Sequence, residues 1–294
     1  MRACLDCLPC LARNATELAR RSARGDAALE ARIAAEGMRI LGAAAEAGYP
    51  LPPPCYARQL IDNALVMSGG AVPDPWAEEK KTSTELAFKL MARLDEIPGW
   101  DPNRFESCLR LAIAGNILDF SIYADLDIAA AMETMATAFT KPVDTAAVAE
   151  LKRRMDEAKS ILWIFDNCGE AVFDRLLMEP YREKITLAVR GKPAFNDLTR
   201  AELAESGYPE GYAAGGVVSN DDGVPGVVDA TCGTAFRAAF SRADLIIAKG
   251  QANFETMSAR TDKPIAFLFL AKCPVVCREV GAQPQTIQVV LHNF

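Results

Sequence analysis

The hydrophobic periodicity of the chain changes once, near residue 155, and this change restricts the possible folds more than any other feature. Before it, apolar residues recur at intervals of three and four, as in Leu8, Leu11, Ala15 and Leu18, which places them on one helix face. After it come short runs rich in Ile, Val and aromatic residues, which are typical of strands buried on both faces. These runs are residues 161–165, 185–189, 217–219, 245–248, 265–270 and 287–291.

The alternation of these runs with helical patterns predicts an α/β fold with a mainly parallel sheet. Helical periodicity covers residues 170–181 and 229–241, between successive apolar runs. Such an order places helices on both faces of the sheet. We therefore predict a helical domain of about six helices over residues 1–155, divided by Pro and Gly clusters. A Rossmann-like three-layer α/β/α domain follows over residues 156–294.

Charge and cysteine usage exclude several classes of protein. The 294 residues contain 32 Lys and Arg against 39 Asp and Glu, a net charge of −7, which argues against a nucleic-acid partner. No apolar run reaches the ~18 residues of a membrane span. The nine cysteines are an odd number in a long chain whose first residues lack the apolar region of a signal peptide. We expect a soluble cytoplasmic protein with reduced thiols.

Polar residues collect directly after four of the six apolar runs. In a parallel sheet the carboxyl ends of the strands share one edge, where ligands bind. The residues expected at this edge, where the sheet would carry its ligand site, are Asp166, Asn167, Glu170, Arg190, Asp197, Lys249, Gly250, Asn253, Glu255 and Lys272.

The chemistry of this edge favours a phosphate ester and a divalent cation. Asp166, Asn167 and Asp197 supply hard oxygen ligands, whereas Arg190, Lys249 and Lys272 are cations suited to an anion. Helix N-termini after Gly169 and Gly250 offer further N–H donors. A bound metal would neutralise phosphate oxygens and lower the pKa of a water molecule.

Each of these residues also has a structural interpretation. An Asp after a strand is often the N-cap of the next helix, and residues 196–197 could form a turn. Lys249 followed by Gly250 could be an exposed loop. The recurrence of acid, amide and base at successive strand ends favours a functional site.

Four motifs resemble one known family. They are DNCGE at 166–170, VRGKPAFND at 189–197, DLIIAKGQANFE at 244–255 and KCPVV at 272–276. In order, they resemble the DUF89, or ARMT1-like, metal-dependent phosphatases, which are proposed to clear damaged phosphometabolites. The resemblance covers the whole chain and includes AGNILD at 114–119. The N-terminal CxxC indicates the prokaryotic branch.

The resemblance implies roles for individual residues. Asp166, Asn167 and Asp197 match the family's metal ligands, and residues 250–255, with Asn253, match its substrate-contacting segment. Lys272 falls where eukaryotic members carry the lysine of an Arg-Thr-x-Lys motif. The arginine of that motif is absent, because residues 269–271 are Phe, Leu and Ala. Its absence argues against the sugar-phosphate preference of that branch.

Further candidates come from helix starts and from the helical half. Glu170 would orient a ligand, or simply complement a helix dipole. Asn116 and Asp119 would cover the site from the helical domain, or bond locally. Cys168 stands where relatives carry Ala, and we interpret it as a tolerated small residue, with redox sensitivity as the alternative.

The triplet Cys4, Cys7 and Cys10 is a separate feature. Three thiols at a spacing of three lie near one helix face and could form a second metal site or a redox site. Structural zinc normally takes four ligands, so a Cys₃His site would need His292, the single histidine. The alternative is a set of buried structural thiols.

The sequence therefore predicts a phosphomonoester hydrolase that depends on Mg²⁺, Mn²⁺, Co²⁺ or Ni²⁺ and acts on a small phosphorylated metabolite. The nucleophile would be a metal-bound water, or Asp166 forming an acyl phosphate. One alternative is an S-adenosylmethionine-dependent methyltransferase, although DNCGE has one glycine where the GxGxxG motif has three. The other is a non-catalytic thiol- or metal-binding protein built on the cysteine triplet. The oligomeric state is left open.

Overall fold

The first half of the chain is helical. The structure, a computed structural model, describes residues 1–116 and 128–294. Within those ranges the first half contains seven α-helices, one more than the periodicity predicts. They are α1 (Leu8–Ala23), α2 (Ala27–Glu46), α3 (Pro53–Met67), α4 (Ala77–Met91), α5 (Phe105–Ala114), α6 (Ile128–Thr140) and α7 (Thr145–Glu157).

Side-chain caps explain where two of these helices begin. The carboxylate of Asp26 accepts a hydrogen bond of 3.0 Å from the backbone N–H of Leu29 at the start of α2. Asp144 accepts from the N–H groups of Ala146 and Ala147 at the start of α7. Such caps satisfy N–H groups that have no partner inside the helix.

The second half forms a six-stranded sheet, which confirms the predicted mixed α/β class. All four parallel pairings involve β1 to β5, whereas β6 runs antiparallel to β5. The strand order is β3-β2-β1-β4-β5-β6, which places β1 and β4 at the centre. The strands are β1 (Ile161–Ile164), β2 (Ile185–Val189), β3 (Val217–Ser219), β4 (Leu245–Lys249), β5 (Ile265–Ala271) and β6 (Thr286–His292). The helices are α8 (Cys168–Met178), α9 (Thr234–Arg242), α10 (Gln251–Met257) and α11 (Pro274–Val280).

Helices cover both faces of this sheet. Trp163 and Ile247 face a core shared with α5, α7 and α8. Leu162 and Ile246 face the opposite core, which contains residues of α9, α10 and α11. Successive strand residues therefore alternate between two buried layers, as expected for a sheet covered on both sides.

The helices of the first half divide among three cores. In one of them α4 and α6 pack with Phe173 of α8. Residues of α1, α2 and α3, among them Leu18, Ile33 and Leu60, form a cluster of their own. Leu109 of α5 and Leu151 of α7 instead pack with the sheet. The division at residue 155 stays a prediction, since these two helices belong to the same core as the strands. Across the described ranges, no helix combines the length and the apolar character needed to cross a membrane.

Candidate metal and phosphate site

The turn after β2 folds back against the end of β1 and brings two distant acids together. The backbone N–H of Leu198 donates to Asp166 O at 2.8 Å, and that of Cys168 donates to Asn196 O at 3.0 Å. These bonds surround an isolated antiparallel bridge between Asn167 and Asp197. The three predicted metal ligands, Asp166, Asn167 and Asp197, are therefore adjacent in space at the carboxyl edge of the sheet.

Arg190 lies between the two aspartates. Its Nε donates to Asp197 Oδ2 at 2.6 Å, and its Nη2 lies 3.9 Å from Asp166 Oδ1. Its Nη1 donates to Gly226 O at 3.2 Å and to Asn253 Oδ1 at 3.4 Å. The residue is 2% exposed, so a full positive charge is buried beside the acids.

The carboxylate of Asp166 is used in tertiary contacts. Its Oδ2 accepts hydrogen bonds from Asn116 Nδ2 at 2.8 Å and from Asn167 Nδ2 at 3.2 Å. The N-cap position of α8 belongs to Asn167, one residue later. The capping interpretation of Asp166 is therefore not the one that the structure supports.

Gly250 allows the turn between β4 and α10 to approach this carboxylate. Its φ of +79° favours glycine, and a Cβ atom there would lie 2.1 Å from Cγ of Asp166. Any side chain at this position would collide with Asp166, a predicted metal ligand.

Lys249 lies beneath the site and is completely buried. Its Nζ donates to Ala112 O at 2.7 Å, to Glu170 Oε1 at 2.5 Å and to Asp174 Oδ1 at 2.7 Å. These three bonds use all three N–H donors of the ammonium group. The structure thus gives Lys249 an internal role, in place of the phosphate-binding role that we expected.

Two carboxylates of α8 share this lysine. Glu170 and Asp174 are one turn apart and face the same way. Glu170 Oε2 also accepts from Asn116 Nδ2 at 3.0 Å, and Asp174 Oδ2 accepts from Trp163 Nε1 at 3.3 Å. Burial raises the pKa of Asp174 to about 7, although Lys249 opposes the shift.

Two residues of α10, Asn253 and Glu255, bond to different parts of this region. Asn253 Nδ2 donates to Phe165 O at 3.3 Å and to Lys249 O at 2.5 Å, which joins the ends of β1 and β4. The carboxylate of Glu255 instead accepts from Gln251 Nε2 at 2.8 Å. Gln251 Oε1 in turn accepts from the backbone N–H groups of Lys272 and Cys273. Gln251 therefore links Glu255 to the backbone of Lys272 and Cys273 through two successive hydrogen bonds.

Lys272 is the exposed cation of the group. Its Nζ contacts both oxygens of Asn116, the backbone carbonyl and the side-chain Oδ1, the latter at 2.6 Å. Asn116 thus connects Lys272 with Asp166 and Glu170. Asp119, the other candidate from the helical half, lies outside the described residues.

The pKa values of the two aspartates are raised. Burial raises the pKa of Asp166 well above its usual range, and repulsion from Asp197 and Glu170 adds to the shift. Burial also raises the pKa of Asp197, while Arg190 opposes the change. Two buried acids that repel each other favour a cation between them.

The residues present fit a hard divalent cation. Among the described residues, no three His, Cys, Asp or Glu side chains are grouped closely enough to hold a metal. The predicted set of ligands contains only two carboxylates, those of Asp166 and Asp197, and its third member is the side-chain amide of Asn167. Because Asn167 Nδ2 donates to Asp166, its Oδ1 is the atom that this amide would offer to a cation.

Two residues of this region were missed in the sequence. Asn220 follows β3, accepts from Gly191 N at 2.8 Å and donates to Gly226 O at 3.1 Å, so it braces the loops around Arg190. Its signal was its place directly after the third apolar run. Asp174 could have been found from its spacing of four from Glu170.

The cysteine triplet lies around the start of α1. Cys4 Sγ and Cys7 Sγ are 3.8 Å apart, whereas Cys10 is exposed. The ring of His292 packs against Phe254 and Phe267. The absence of any three-residue metal cluster within residues 1–116 and 128–294 gives the predicted second metal site no support.

The chain is similar to known proteins in both sequence and structure. A damage-control phosphatase from Pyrococcus horikoshii is 36% identical over 225 residues, which are 75% of each chain. A damage-control phosphatase from Archaeoglobus fulgidus is 31% identical over 215 residues, 71% of this chain and 73% of the relative. The crystal structure of a DUF89 family protein from Pyrococcus horikoshii matches with a TM-score of 0.85, at 29% identity and over 100% of both chains. The damage-control phosphatase ARMT1-like domain matches residues 3–287, which confirms the resemblance of the four motifs, and the chain belongs to this family.

Proposed function

We propose that the chain is a divalent-metal-dependent phosphatase that hydrolyses phosphomonoesters of small metabolites and serves in metabolite damage control. The observation that carries the proposal is the convergence of Asp166, Asn167 and Asp197 beside a buried arginine at the carboxyl edge of the sheet. Membership of a family whose relatives are named damage-control phosphatases supports it.

The cation would be held by one carboxylate oxygen of Asp166, one of Asp197 and the amide oxygen of Asn167. Bound there, Mg²⁺ or Mn²⁺ would neutralise the phosphate oxygens and lower the pKa of a water molecule. Co²⁺ and Ni²⁺ can be accommodated by the same oxygen set.

Arg190 is suited to bind the phosphoryl group. Its Nη2 is a buried donor with no hydrogen-bond partner among the described residues. A buried N–H group without a partner is costly, and a phosphate oxygen would satisfy it. Because Nε and Nη1 are already bonded, the guanidinium would be fixed in place before the substrate arrives.

Lys272 would supply the second positive charge. It is exposed at the edge of the site and contacts Asn116, which also bonds to Asp166. A cation at this point would attract a phosphate ester by long-range charge interaction. Glu170 is held by hydrogen bonds to Lys249 and Asn116, and it would orient the groups around Asp166.

Of the two candidate nucleophiles, we propose water. The Oδ2 atom of Asp166 already accepts two hydrogen bonds, and its Oδ1 lies near Arg190. A carboxylate held in this way is suited to ligate a cation, and attack on phosphorus would require it to leave these partners.

The test is a screen of metals against substrates. Metal-stripped protein would be supplied with Mg²⁺, Mn²⁺, Co²⁺ or Ni²⁺, and phosphate release would be measured from a panel of phosphometabolites. We expect turnover with at least one metal, none with chelator, and none in the folded Asp166→Ala variant. Full activity of that variant, or of chelated protein, would contradict the proposal.

The methyltransferase alternative is not favoured by the family assignment. Calorimetry with S-adenosylmethionine would show binding if it were correct. We also propose a reducing, cytoplasmic compartment, because nine cysteines are an odd number in a long chain.

A further inference from the structure

The first ten residues place two thiols in contact. Cys4 precedes the 3₁₀ turn Leu5–Cys7, and the backbone N–H of Cys7 donates to Cys4 O at 2.9 Å. This single turn brings the two side chains onto one side, with the sulfur atoms 3.8 Å apart. Residues three apart in a helical turn are neighbours, so a covalent bond between these sulfurs needs only a small local movement.

The two thiols differ in their surroundings. Cys7 is 6% exposed and packs in the apolar cluster of α1, α2 and α3, whereas Cys4 is only partly covered. Burial raises the pKa of Cys7 to about 11, so at neutral pH it is present as the thiol. An external reagent therefore reaches Cys4 first.

A metal site is the other chemistry that such a motif can support. It needs four ligands for structural zinc, and a metal cluster of three is absent from the part of the chain that the structure describes. The only histidine, His292, packs against Phe254 and Phe267 on the sheet. A contacting pair without further ligands favours redox chemistry.

We propose that Cys4 and Cys7 form a reversible dithiol–disulfide pair that exchanges with a low-molecular-weight disulfide. The Cys4 thiolate attacks one sulfur of the reagent, which forms a mixed disulfide and releases one small thiol. Cys7, on losing its proton, attacks the Cys4 sulfur and expels the second small thiol. The protein loses two electrons and two protons, and the reagent is reduced to two thiols.

The experiment uses oxidised glutathione as the probe and a tryptic peptide as the readout. Cleavage after Arg2 and Arg13 releases residues 3–13, which contain Cys4, Cys7 and Cys10. In a Cys10→Ser background this peptide keeps only the two proposed thiols. After native oxidation, alkylation and digestion, we expect the peptide to carry no alkyl group and to weigh two hydrogens less than the dithiol peptide. Dithiothreitol should restore the dithiol mass.

Two variants in the same background separate the roles. We expect Cys7→Ser to hold one glutathione on Cys4, since the proposed resolving thiol is missing. We expect Cys4→Ser to keep Cys7 as a free thiol that is alkylated only after denaturation. Both readouts are masses, so they do not depend on the proposed phosphatase activity.

Three outcomes would overturn the proposal. The first is a Cys10→Ser peptide that stays reduced, or only gains glutathione, under full oxidation. The second is a disulfide that joins residues 3–13 to another peptide, such as the one carrying Cys273. The third is one equivalent of zinc that stays bound through gel filtration and protects Cys4 and Cys7 from glutathione.

Discussion

Asn116 Nδ2 lies 2.8 Å from Oδ2 of Asp166, and this bond joins the end of α5 to the end of β1. The approach depends on the preceding residue, Gly115, where a Cβ atom would lie 2.9 Å from Cα of Glu170. The site is therefore assembled from both halves of the chain, since Asn116 belongs to the first half and Asp166 to the second.

Removing this bond should reduce catalysis. Asn116→Ala deletes the donor to Asp166 and Glu170 and the side-chain acceptor of Lys272. Loss of a group that orients a metal ligand typically costs about 10–100-fold, and we expect a fall in kcat of that size. Phosphate release at saturating metal measures it.

The matched control for this variant is Asn103→Ala. Asn103 is exposed, and its side chain bonds to Asp101 outside the site. We expect wild-type kcat. Equal activity of the two variants would show that the contact between Asn116 and Asp166 has no role in turnover.

Asp166→Asn should separate stability from activity. Burial and repulsion from Asp197 and Glu170 raise the pKa of Asp166, so its ionised form is disfavoured in the folded protein. The neutral amide removes this cost, and we expect an unchanged or higher Tm. It also removes a ligand charge, and kcat should fall at least about 100-fold, the size seen for key electrostatic groups. A stable, fully active variant would contradict the assignment.

Gly250→Ala should disrupt the site through a steric clash. The added Cβ atom would lie 2.1 Å from Cγ of Asp166, and φ at this position is +79°. We expect the turn to shift, displacing Asp166, with activity falling at least about tenfold. Steady-state kinetics and Tm would be measured together.

Gly281→Ala is the control for backbone strain alone. Its φ is +65°, but nothing lies within 4 Å of the added Cβ atom. We expect a cost of roughly 1–2 kcal/mol in the free energy of unfolding and no change in kcat. If Gly250→Ala behaves in the same way, the close approach to Asp166 is not functional.

Glu255 should make stability depend on pH. Burial raises the pKa of this carboxyl to about 7, against an ordinary value of 4.5. The folded state then binds a proton more tightly than the unfolded state, so stability is lost as pH rises from about 4.5 to about 7. The loss amounts to at most roughly 3 kcal/mol in the free energy of unfolding. Because glutamine cannot ionise, we expect this loss to be absent in Glu255→Gln.

Urea unfolding at about pH 5 and about pH 8 would measure this effect, as the difference between wild type and variant. The exposed carboxylate of Glu205 provides the control, since Glu205→Gln makes the same chemical change at the surface. If the free energy of unfolding changed equally with pH in the wild type and in Glu255→Gln, Glu255 would not be the group responsible.

Most of the fold and the position of the site follow from local sequence patterns. Short apolar runs predict strands because a strand covered on both faces has no polar face to show. Parallel strands place their carboxyl ends together, so Asp166, Asn167 and Arg190 are predicted at one edge before any coordinates are known. The adjacency of Asp197 to them depends instead on the turn after β2, which folds back against the end of β1.

The roles of the charged residues depend on tertiary packing. Lys249 reads as an exposed cation after a strand, but the pleat turns its side chain to the same face as Ile247, where α5 and α8 pack. A buried ammonium must be paired, and Glu170 and Asp174 supply its partners. Asn116 reaches Asp166 only because α5 ends beside β1.

The sequence by itself determined which residues form strands, which edge of the sheet collects polar groups, and the family to which these motifs belong. Only the tertiary structure decided which cation is buried, which is exposed, and which carboxylates share a partner. The physical reason is that apolar periodicity is a local property of the chain. The polar contacts at this edge instead join residues far apart in the chain, such as Lys272 and Asn116, which are 156 positions apart.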